Sequence, residues 1–348
     1  MTLVTFWFIV LAVLWTGFLV LEGFDFGVGM LHGVVGRDEP GRQTAIGAIG
    51  PLWDGNEVWL IVAGAGMFAA FPGWYATMFS GFYLAFLLLL VALIGRGLTF
   101  EFRGKRESTR WRRTWDAALT GGSLLAPLLV GVALGNLLHG VPIGSDQEYT
   151  GNLADLLNPY SLFTGVTLVL ICLLHGASFL ALKTAGEVRE RAAGVARRVA
   201  VVTAAAVVGF TVWTLVSAGN GWLAPLLEAV AVVAVVAAAW LAGKGRDGLA
   251  FTATSLTMAA VVLSIFANLY PRVMVSTLGS ATDLTVTNTA SSSYALRVMT
   301  VVAVIFLPVV LAYQGWTYYV FRRRIGGPTV DPAGRAEQGA GSRQKEAT

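Results

Sequence analysis

The sequence predicts an all-α integral membrane protein with nine transmembrane helices. Two bulk properties favour a membrane: 56% of the 348 residues are hydrophobic and only 13% are charged, about half the charged share of soluble domains. The third observation is that nine apolar stretches reach the roughly 20 residues that a helix needs to cross a bilayer. The predicted spans are roughly 5–30, 52–71, 74–95, 116–138, 160–182, 199–218, 222–242, 250–270 and 296–321.

Short polar segments separate the spans and indicate where each one ends. Phe71-Pro-Gly-Trp74 predicts a tight turn between the second and third spans, and Ala218-Gly-Asn-Gly-Trp222 predicts another between the sixth and seventh. Turns on the outer face are predicted at Asn158-Pro-Tyr160 and at Asn268-Leu-Tyr-Pro-Arg272. The polar segment 287–294 predicts a loop whose hydroxyls cap the last span.

The basic residues predict the orientation in the membrane. With nine spans, the loops after spans one, three, five and seven lie on the same side as the tail 322–348, and together these segments hold 22 of the 24 Lys and Arg residues. The two exceptions, Arg272 and Arg297, flank the loop before the last span. Because cytoplasmic loops are enriched in Lys and Arg, we expect a multi-pass protein with the N-terminus outside and the C-terminus in the cytoplasm. The tail is rich in Gly, Arg, Gln and Glu and is predicted to be disordered.

The sequence contains few residues for metal or haem binding. Cys172 is the single cysteine, which excludes an internal disulfide and a thiolate metal site, and its apolar surroundings indicate a packing residue. His32 lies near the inner interface, His139 near the outer one, and His175 within a span. Because their depths differ, we expect hydrogen-bonded histidines rather than a bis-histidine haem site or a metal site. The net charge of +4 is explained by the loops and does not indicate nucleic-acid binding.

Four carboxylates lie where apolar surroundings are expected. Glu22 and Asp25 interrupt the first span, and Asp54 and Glu57 lie at the start of the second. Each pair is spaced i, i+3 and therefore shares a helix face, and the topology puts both pairs near the cytoplasm. A carboxylate in hydrocarbon is costly unless it is protonated, paired or hydrated, so we predict that the four form a cytoplasm-facing proton path. Three glycines within 21–29 predict close helix packing at the first pair.

Arg96 and Glu101, at the inner end of the third span, are predicted to be supporting charges in the same layer. A buried Arg96 would pair with Asp54 or Glu57, whereas an interfacial Arg96 would snorkel to the surface, as we expect of Arg103. Asp54 also has a second interpretation. If the second span begins at Gly55, the Asp54 carboxylate would act as an N-cap and accept backbone N–H bonds.

Eight short motifs follow one another along the chain. They are Gly23-Phe-Asp-Phe-Gly-Val-Gly29, Gly50-Pro-Leu-Trp-Asp-Gly-Asn-Glu-Val-Trp-Leu60, Met67-Phe-Ala-Ala-Phe-Pro72, Phe79-Ser-Gly-Phe-Tyr83, Gly135-Asn-Leu-Leu-His-Gly-Val-Pro142, Asn158-Pro-Tyr160, Phe266-Ala-Asn-Leu-Tyr-Pro271 and Tyr313-Gln-Gly-Trp-Thr-Tyr318. This ordered set, with nine predicted spans, resembles subunit II of bacterial cytochrome bd-type quinol oxidases over about residues 5–325.

The resemblance implies a fold and a partner. The fold would be two four-helix bundles plus a peripheral ninth helix, in the bacterial cell membrane. The partner would be subunit I, which in this family carries the haems b and d and the site of quinol oxidation. The resemblance leaves open small accessory subunits, a structural quinone in this chain, and whether the quinol is menaquinol or ubiquinol.

The resemblance also implies an activity. The complex would oxidise quinol and reduce O₂ to water without pumping protons, and this subunit would supply cytoplasmic protons to subunit I and stabilise the complex. Asp54 matches the acidic residue that is usually assigned to that path, and Asp25 matches another acidic position near it. The histidines do not match haem ligands.

Two alternatives remain at this point. A stand-alone proton-coupled membrane transporter would carry a substrate across proteoliposomes with no haem-containing partner. A purely structural scaffold would tolerate neutralisation of all four carboxylates without a change in the kinetics of the complex.

Overall fold

The computed structural model describes residues 2–219 and 221–326, and most of these residues are helical. Two short antiparallel strands, β1 (Arg272–Met274) and β2 (Leu284–Thr285), form a hairpin after the tenth helix. In chain order the α-helices are α1 (Leu3–Val35), α2 (Glu39–Ile49), α3 (Trp53–Ala70), α4 (Pro72–Gly81), α5 (Tyr83–Phe102), α6 (Thr109–His139), α7 (Pro159–Lys183), α8 (Gly186–Ala218), α9 (Leu223–Gly243), α10 (Asp247–Leu269) and α11 (Ser293–Val320).

Eight helices in the described ranges are long and apolar enough to cross a membrane, namely α1 and α5 to α11. The predicted second span is present as α3 but is not one of the eight, because its first turns contain Asp54, Asn56 and Glu57. With 18 residues, α3 is about 27 Å long at 1.5 Å per residue, close to the roughly 30 Å of a bilayer's hydrocarbon core.

The predicted third span, 74–95, is not one continuous helix. It consists of α4 and α5, which meet at Phe82 with φ −99° and ψ 19°. The backbone hydrogen bonds continue across the junction, since the N–H of Phe82 donates to Met78 and the N–H of Phe86 donates to Phe82, both at 2.9 Å. At Gly81, a Cβ atom would lie 2.7 Å from Cβ of Tyr149. The loop after α6 therefore packs directly on the backbone at this break.

We name the two ends of the molecule after the ends of α1. The Thr2 face is the end where α1 begins, after its N-cap Thr2, and the Val35 face is the end where α1 finishes. α2 lies on the Val35 face and was not predicted. The Asp38 carboxylate caps it by accepting the N–H of Gly41 at 3.0 Å, and its buried side is made of small and apolar residues. α6 and α8 begin earlier than predicted on this face, because their charged first turns continue the helices beyond the apolar stretches.

α1 and α7 lie at the centre of the molecule. α1 packs against α3, α6, α7 and α10, and α7 also packs against α6, α8 and α10. The two helices approach most closely where Gly27 faces Gly176. A Cβ on Gly27 would lie 2.0 Å from the carbonyl oxygen of Cys172 and 2.7 Å from Cα of Gly176. The glycine-mediated packing that the sequence predicts in this part of α1 is confirmed.

α11 packs against α3 and α1 over a small area. Only 6% of the residues in its apolar 18-residue stretch are buried. At its start, the Ser292 hydroxyl accepts the N–H of Ala295 at 3.2 Å, which confirms the predicted cap. Near the same end, the Trp7 indole donates to the carbonyl of Leu296 at 3.2 Å and to the hydroxyl of Thr300 at 3.0 Å.

After α11 the chain crosses the Val35 face. The N–H of Ile325 donates to the carbonyl of Lys183 at 2.8 Å, and the N–H of Ala185 donates to the carbonyl of Ile325 at 3.0 Å. The rest of the predicted disordered tail, 327–348, lies outside the described residues.

Candidate functional site

Three carboxylates and one arginine meet inside the helices near the Val35 face. Glu22 and Asp25 of α1 and Arg96 of α5 are all fully buried. Glu22 accepts a hydrogen bond from the Arg96 guanidinium, and Glu57 of α3 lies 3.5 Å from the same nitrogen of Arg96. We call Glu22, Asp25, Glu57 and Arg96 the acid–arginine cluster.

The position of Arg96 follows from its neighbours on α1 and α6. Its guanidinium carbon lies 4.8 Å from the centre of the Phe26 ring, a cation–π distance. On the other side, a Cβ on Gly122 would lie 2.5 Å from the carbonyl oxygen of Ala92 and 3.1 Å from Cβ of Arg96. Glycine at this point of α6 therefore lets α5 approach closely and present Arg96 to α1.

The charge of the cluster is unbalanced. Fully ionised, it would place three negative charges against one positive charge in the protein interior, and buried excess charge is expensive. Among the described residues, Oε2 of Glu22, Oδ1 of Asp25, and Nε and Nη2 of Arg96 have no hydrogen-bond partner. An arrangement of this kind can take up and release protons, because each proton removes part of the excess charge.

Asn56 of α3 joins the cluster and was missed by the sequence analysis. Its side-chain nitrogen donates to Oδ2 of Asp25 at 2.7 Å and to the carbonyl of Leu21 at 3.2 Å. Its side-chain oxygen accepts from the amide of Gln314 and the hydroxyl of Tyr318 of α11, both at 2.9 Å. One signal was available, since Asn56 stands between two carboxylates at the start of an apolar helix.

Two of the predicted site residues lie outside the cluster. Asp54 is exposed in the first turn of α3 and lines a cleft between α3 and α11 that also contains Gln314. The capping interpretation of Asp54 is wrong, because the N-cap of α3 is Leu52 and no side chain caps this helix. Glu101 is exposed near the end of α5. Of the two partners considered for Arg96, the structure places Glu57 beside it.

A second ionic group lies closer to the Val35 face. Arg103 is 6% exposed and donates to both oxygens of Glu39, at 2.7 and 3.0 Å, and to Asp116 at 2.6 Å. The snorkelling interpretation of Arg103 is therefore wrong, because α2 brings Glu39 over the end of α5. These hydrogen bonds from Arg103 lower the pKa of the Glu39 carboxyl. Asp116 also accepts from Arg42 at 3.3 Å, and Nε2 of His32 lies 3.3 Å from its other carboxylate oxygen.

The two buried histidines are hydrogen-bonded within the protein. Nδ1 of His175 lies 2.7 Å from the hydroxyl of Thr254, and Nε2 lies 3.1 Å from the carbonyl of Val20. Nδ1 of His32 lies 2.8 Å from the carbonyl of Gly29, and its other ring nitrogen faces Asp116. Within the described ranges, no group of three or more His, Cys, Asp or Glu side chains could hold a metal ion.

The fold and the site define the class of protein: a multi-pass helical membrane protein with a buried cluster of carboxylates around one arginine. The family model described as "Cytochrome bd terminal oxidase subunit II" matches residues 3–321. The chain is 43% identical to cytochrome bd ubiquinol oxidase subunit 2 of Bacillus subtilis, over 92% of this chain and 96% of that one. It is 38% identical to cytochrome bd-I ubiquinol oxidase subunit 2 of Escherichia coli, over 92% and 94%.

A solved structure supports the same fold. A chain of the bd oxidase from Geobacillus thermodenitrificans superposes with a TM-score of 0.71 at 19% identity, over 92% of this chain and 99% of that one. The chain therefore belongs to the cytochrome bd terminal oxidase subunit II family and is a subunit of a quinol oxidase complex in a bacterial membrane. The family implies haems and a quinol substrate in that complex, and it does not support the alternative of a stand-alone transporter.

Proposed function

We propose that the acid–arginine cluster conducts protons from the cytoplasm to the haem-bearing subunit I, where O₂ is reduced to water. The observation that carries the proposal is the fully buried pair Glu22 and Asp25 beside one fully buried arginine, Arg96. Such a set of side chains is costly to bury for stability alone, and ionisable residues inside a membrane generally mark proton or ion pathways. Asp54, exposed on α3, would receive protons first.

The direction of the path depends on the orientation of the chain. We place the Val35 face in the cytoplasm and the N-terminus outside, supported by the 22 of 24 Lys and Arg residues that the sequence assigns to the cytoplasmic segments. In this arrangement α3 is the ninth membrane-spanning helix and α4 and α5 together form one span. The spans would form two four-helix bundles, one from α1, α3, α4–α5 and α6 and one from α7 to α10, with α11 at the edge.

The redox centres would lie in subunit I. This placement is supported by the two buried histidines, His32 and His175, whose ring nitrogens all face polar groups of this chain within 3.3 Å. The complex would oxidise menaquinol or ubiquinol and reduce O₂ without pumping. Protons for water would come from the cytoplasm through this chain, and the chain would also stabilise subunit I.

The test is the variant Asp25→Asn in the assembled oxidase, which removes the ionisable group and retains the shape. We expect oxygen consumption with excess quinol to fall about 100-fold or more, the usual order of the loss when a group that transfers protons is removed. The matched control is Asp146→Asn, an exposed carboxylate in the loop after α6. If the Asp25→Asn complex has a normal haem spectrum and turns over like the wild type, the cluster does not carry the protons.

A further inference from the structure

α11 brings two polar side chains to the candidate site although most of its surface is exposed. Within Tyr313–Val320, the side chains of Gln314, Thr317 and Tyr318 are half-buried and the others are exposed. Gln314 and Tyr318 are one helical turn apart and so project from the same face. Both donate to the side-chain oxygen of Asn56 at 2.9 Å.

These two donors determine which way the Asn56 amide points. An asparagine side chain has one accepting oxygen and one donating nitrogen, and the hydrogen-bond network decides their placement. With the oxygen toward Gln314 and Tyr318, the nitrogen donates to Asp25 at 2.7 Å and to the carbonyl of Leu21 at 3.2 Å. In the reversed orientation the oxygen would face two acceptors, and a buried group would lose its hydrogen bonds.

The proposal rests on the proposed function of the cluster. We infer that Gln314 and Tyr318 are positioning residues for proton transfer: they hold the Asn56 amide so that it always donates to Asp25. A donor that is already in place stabilises the carboxylate that remains when Asp25 gives up its proton. α11 is thus part of the proton-transfer site and not only a peripheral helix.

The same geometry makes the inference testable without detaching α11. The opposite end of this helix is held by the bonds from Trp7 to Leu296 and Thr300. Tyr318 also packs edge-on against Phe24, with ring centres 6.5 Å apart. Tyr318→Phe keeps that ring contact and removes only the hydroxyl.

The experiment compares Tyr318→Phe, Gln314→Met and the double variant in the purified oxidase complex. The control is Tyr319→Phe, which removes the same hydroxyl from the neighbouring, 62% exposed side chain. We expect kcat to fall about fivefold for each single variant, the order of one neutral hydrogen bond, and further for the double variant. KM for quinol should stay unchanged, and the solvent deuterium isotope effect on kcat should rise because proton transfer becomes slower.

Three outcomes contradict the inference. The first is a double variant with the kcat and isotope effect of Tyr319→Phe, and the second is a rise in KM with kcat unchanged. If Asp25→Asn is inactive in either case, the proton path stands and only the positioning role fails. In the third outcome Asp25→Asn turns over like the wild type, and then the proposed path and the positioning role fail together.

Discussion

Gly27 and Gly176 bring α1 and α7 into backbone contact, with Cα of Gly176 only 2.7 Å from where a Cβ on Gly27 would lie. This contact positions the face of α1 that carries Glu22 and Asp25. Side chains on either glycine would force the two helices apart, because the atoms they meet belong to backbone and cannot rotate away.

We predict that Gly27→Ala destabilises the oxidase complex by about 3 kcal/mol or more, above the usual range for overpacked cores because the clash is with backbone. Thermal unfolding of the purified complex measures the effect. The control is Gly33→Ala, on the same helix with nothing within 4 Å of the added Cβ; it should unfold at or slightly above the wild-type temperature, because alanine favours helix. Equal unfolding temperatures for the two variants would contradict the close packing.

The ion pair of Glu22 and Arg96 predicts strongly non-additive variants. Removing one partner of a buried pair leaves an uncompensated charge and costs about 3–5 kcal/mol. We therefore expect Arg96→Met alone to lower the unfolding temperature of the complex strongly, and Glu22→Gln alone to lower it less, because Glu57 remains 3.5 Å from Arg96 and balances its charge. The double variant should be less destabilised than the sum of the two, and strictly additive effects would show that the two groups do not interact.

The helices could be predicted from the sequence because each one carries its own signal. Apolar runs located the apolar part of each long helix, although α6 and α8 begin earlier than predicted and the predicted third span is divided between α4 and α5. The spacing of Glu22, Asp25 and Glu57 already indicated a shared layer. α2 was missed because it is short and only one side of it is apolar. The break at Phe82 was missed because it depends on a loop that follows a later helix.

The polar partners of the cluster could not be predicted because they are distant along the chain. Gln314 and Asn56 are separated by 258 positions, and no local pattern pairs an amide in one span with another eight helices later. The surroundings of the Asp54 side chain could not be predicted for the same reason. The motif showed an acidic residue at a helix start, but only the packing of α11 against α3 shows that the side chain faces a cleft and not Arg96.

The pair of Glu39 and Arg103 predicts a pH dependence on the Val35 face. Hydrogen bonds from Arg103 lower the pKa of Glu39 from its ordinary value of 4.5, so the folded protein binds this proton more weakly than the unfolded chain. The stabilisation is complete above about pH 4.5 and is lost as the pH falls through the lower folded-state pKa. With Glu39 30% exposed, it amounts to about 1 kcal/mol or less.

Thermal unfolding of the complex from pH 7 downward tests this dependence. Glu39→Gln should be less stable than the wild type at neutral pH, and the difference should shrink as the medium becomes acidic. Glu107→Gln is the control, because Glu107 is exposed on the same face and should follow the wild-type curve. A difference between Glu39→Gln and the wild type that stays constant with pH would contradict the ion pair.

Asp54 and Glu57 should give different kinetic defects although they are one helical turn apart. Asp54 is exposed at the cleft between α3 and α11, whereas Glu57 lies 3.5 Å from Arg96. If Asp54 collects protons from the cytoplasm, Asp54→Asn slows capture, and the loss of turnover grows as protons become scarce at alkaline pH. A small, mobile buffer acid can replace a surface proton acceptor, so millimolar imidazole should restore turnover to Asp54→Asn.

Glu57→Gln serves as the contrasting variant in the same assay. Its defect would lie beside Arg96, at a side chain that is only 24% exposed, so imidazole should restore its turnover much less than that of Asp54→Asn. Oxygen consumption by both variants, measured with excess quinol at several buffer concentrations, separates the two roles. Rescue of Glu57→Gln together with failure to rescue Asp54→Asn would reverse the assignment, because it would place Glu57 at the surface step and Asp54 further inside.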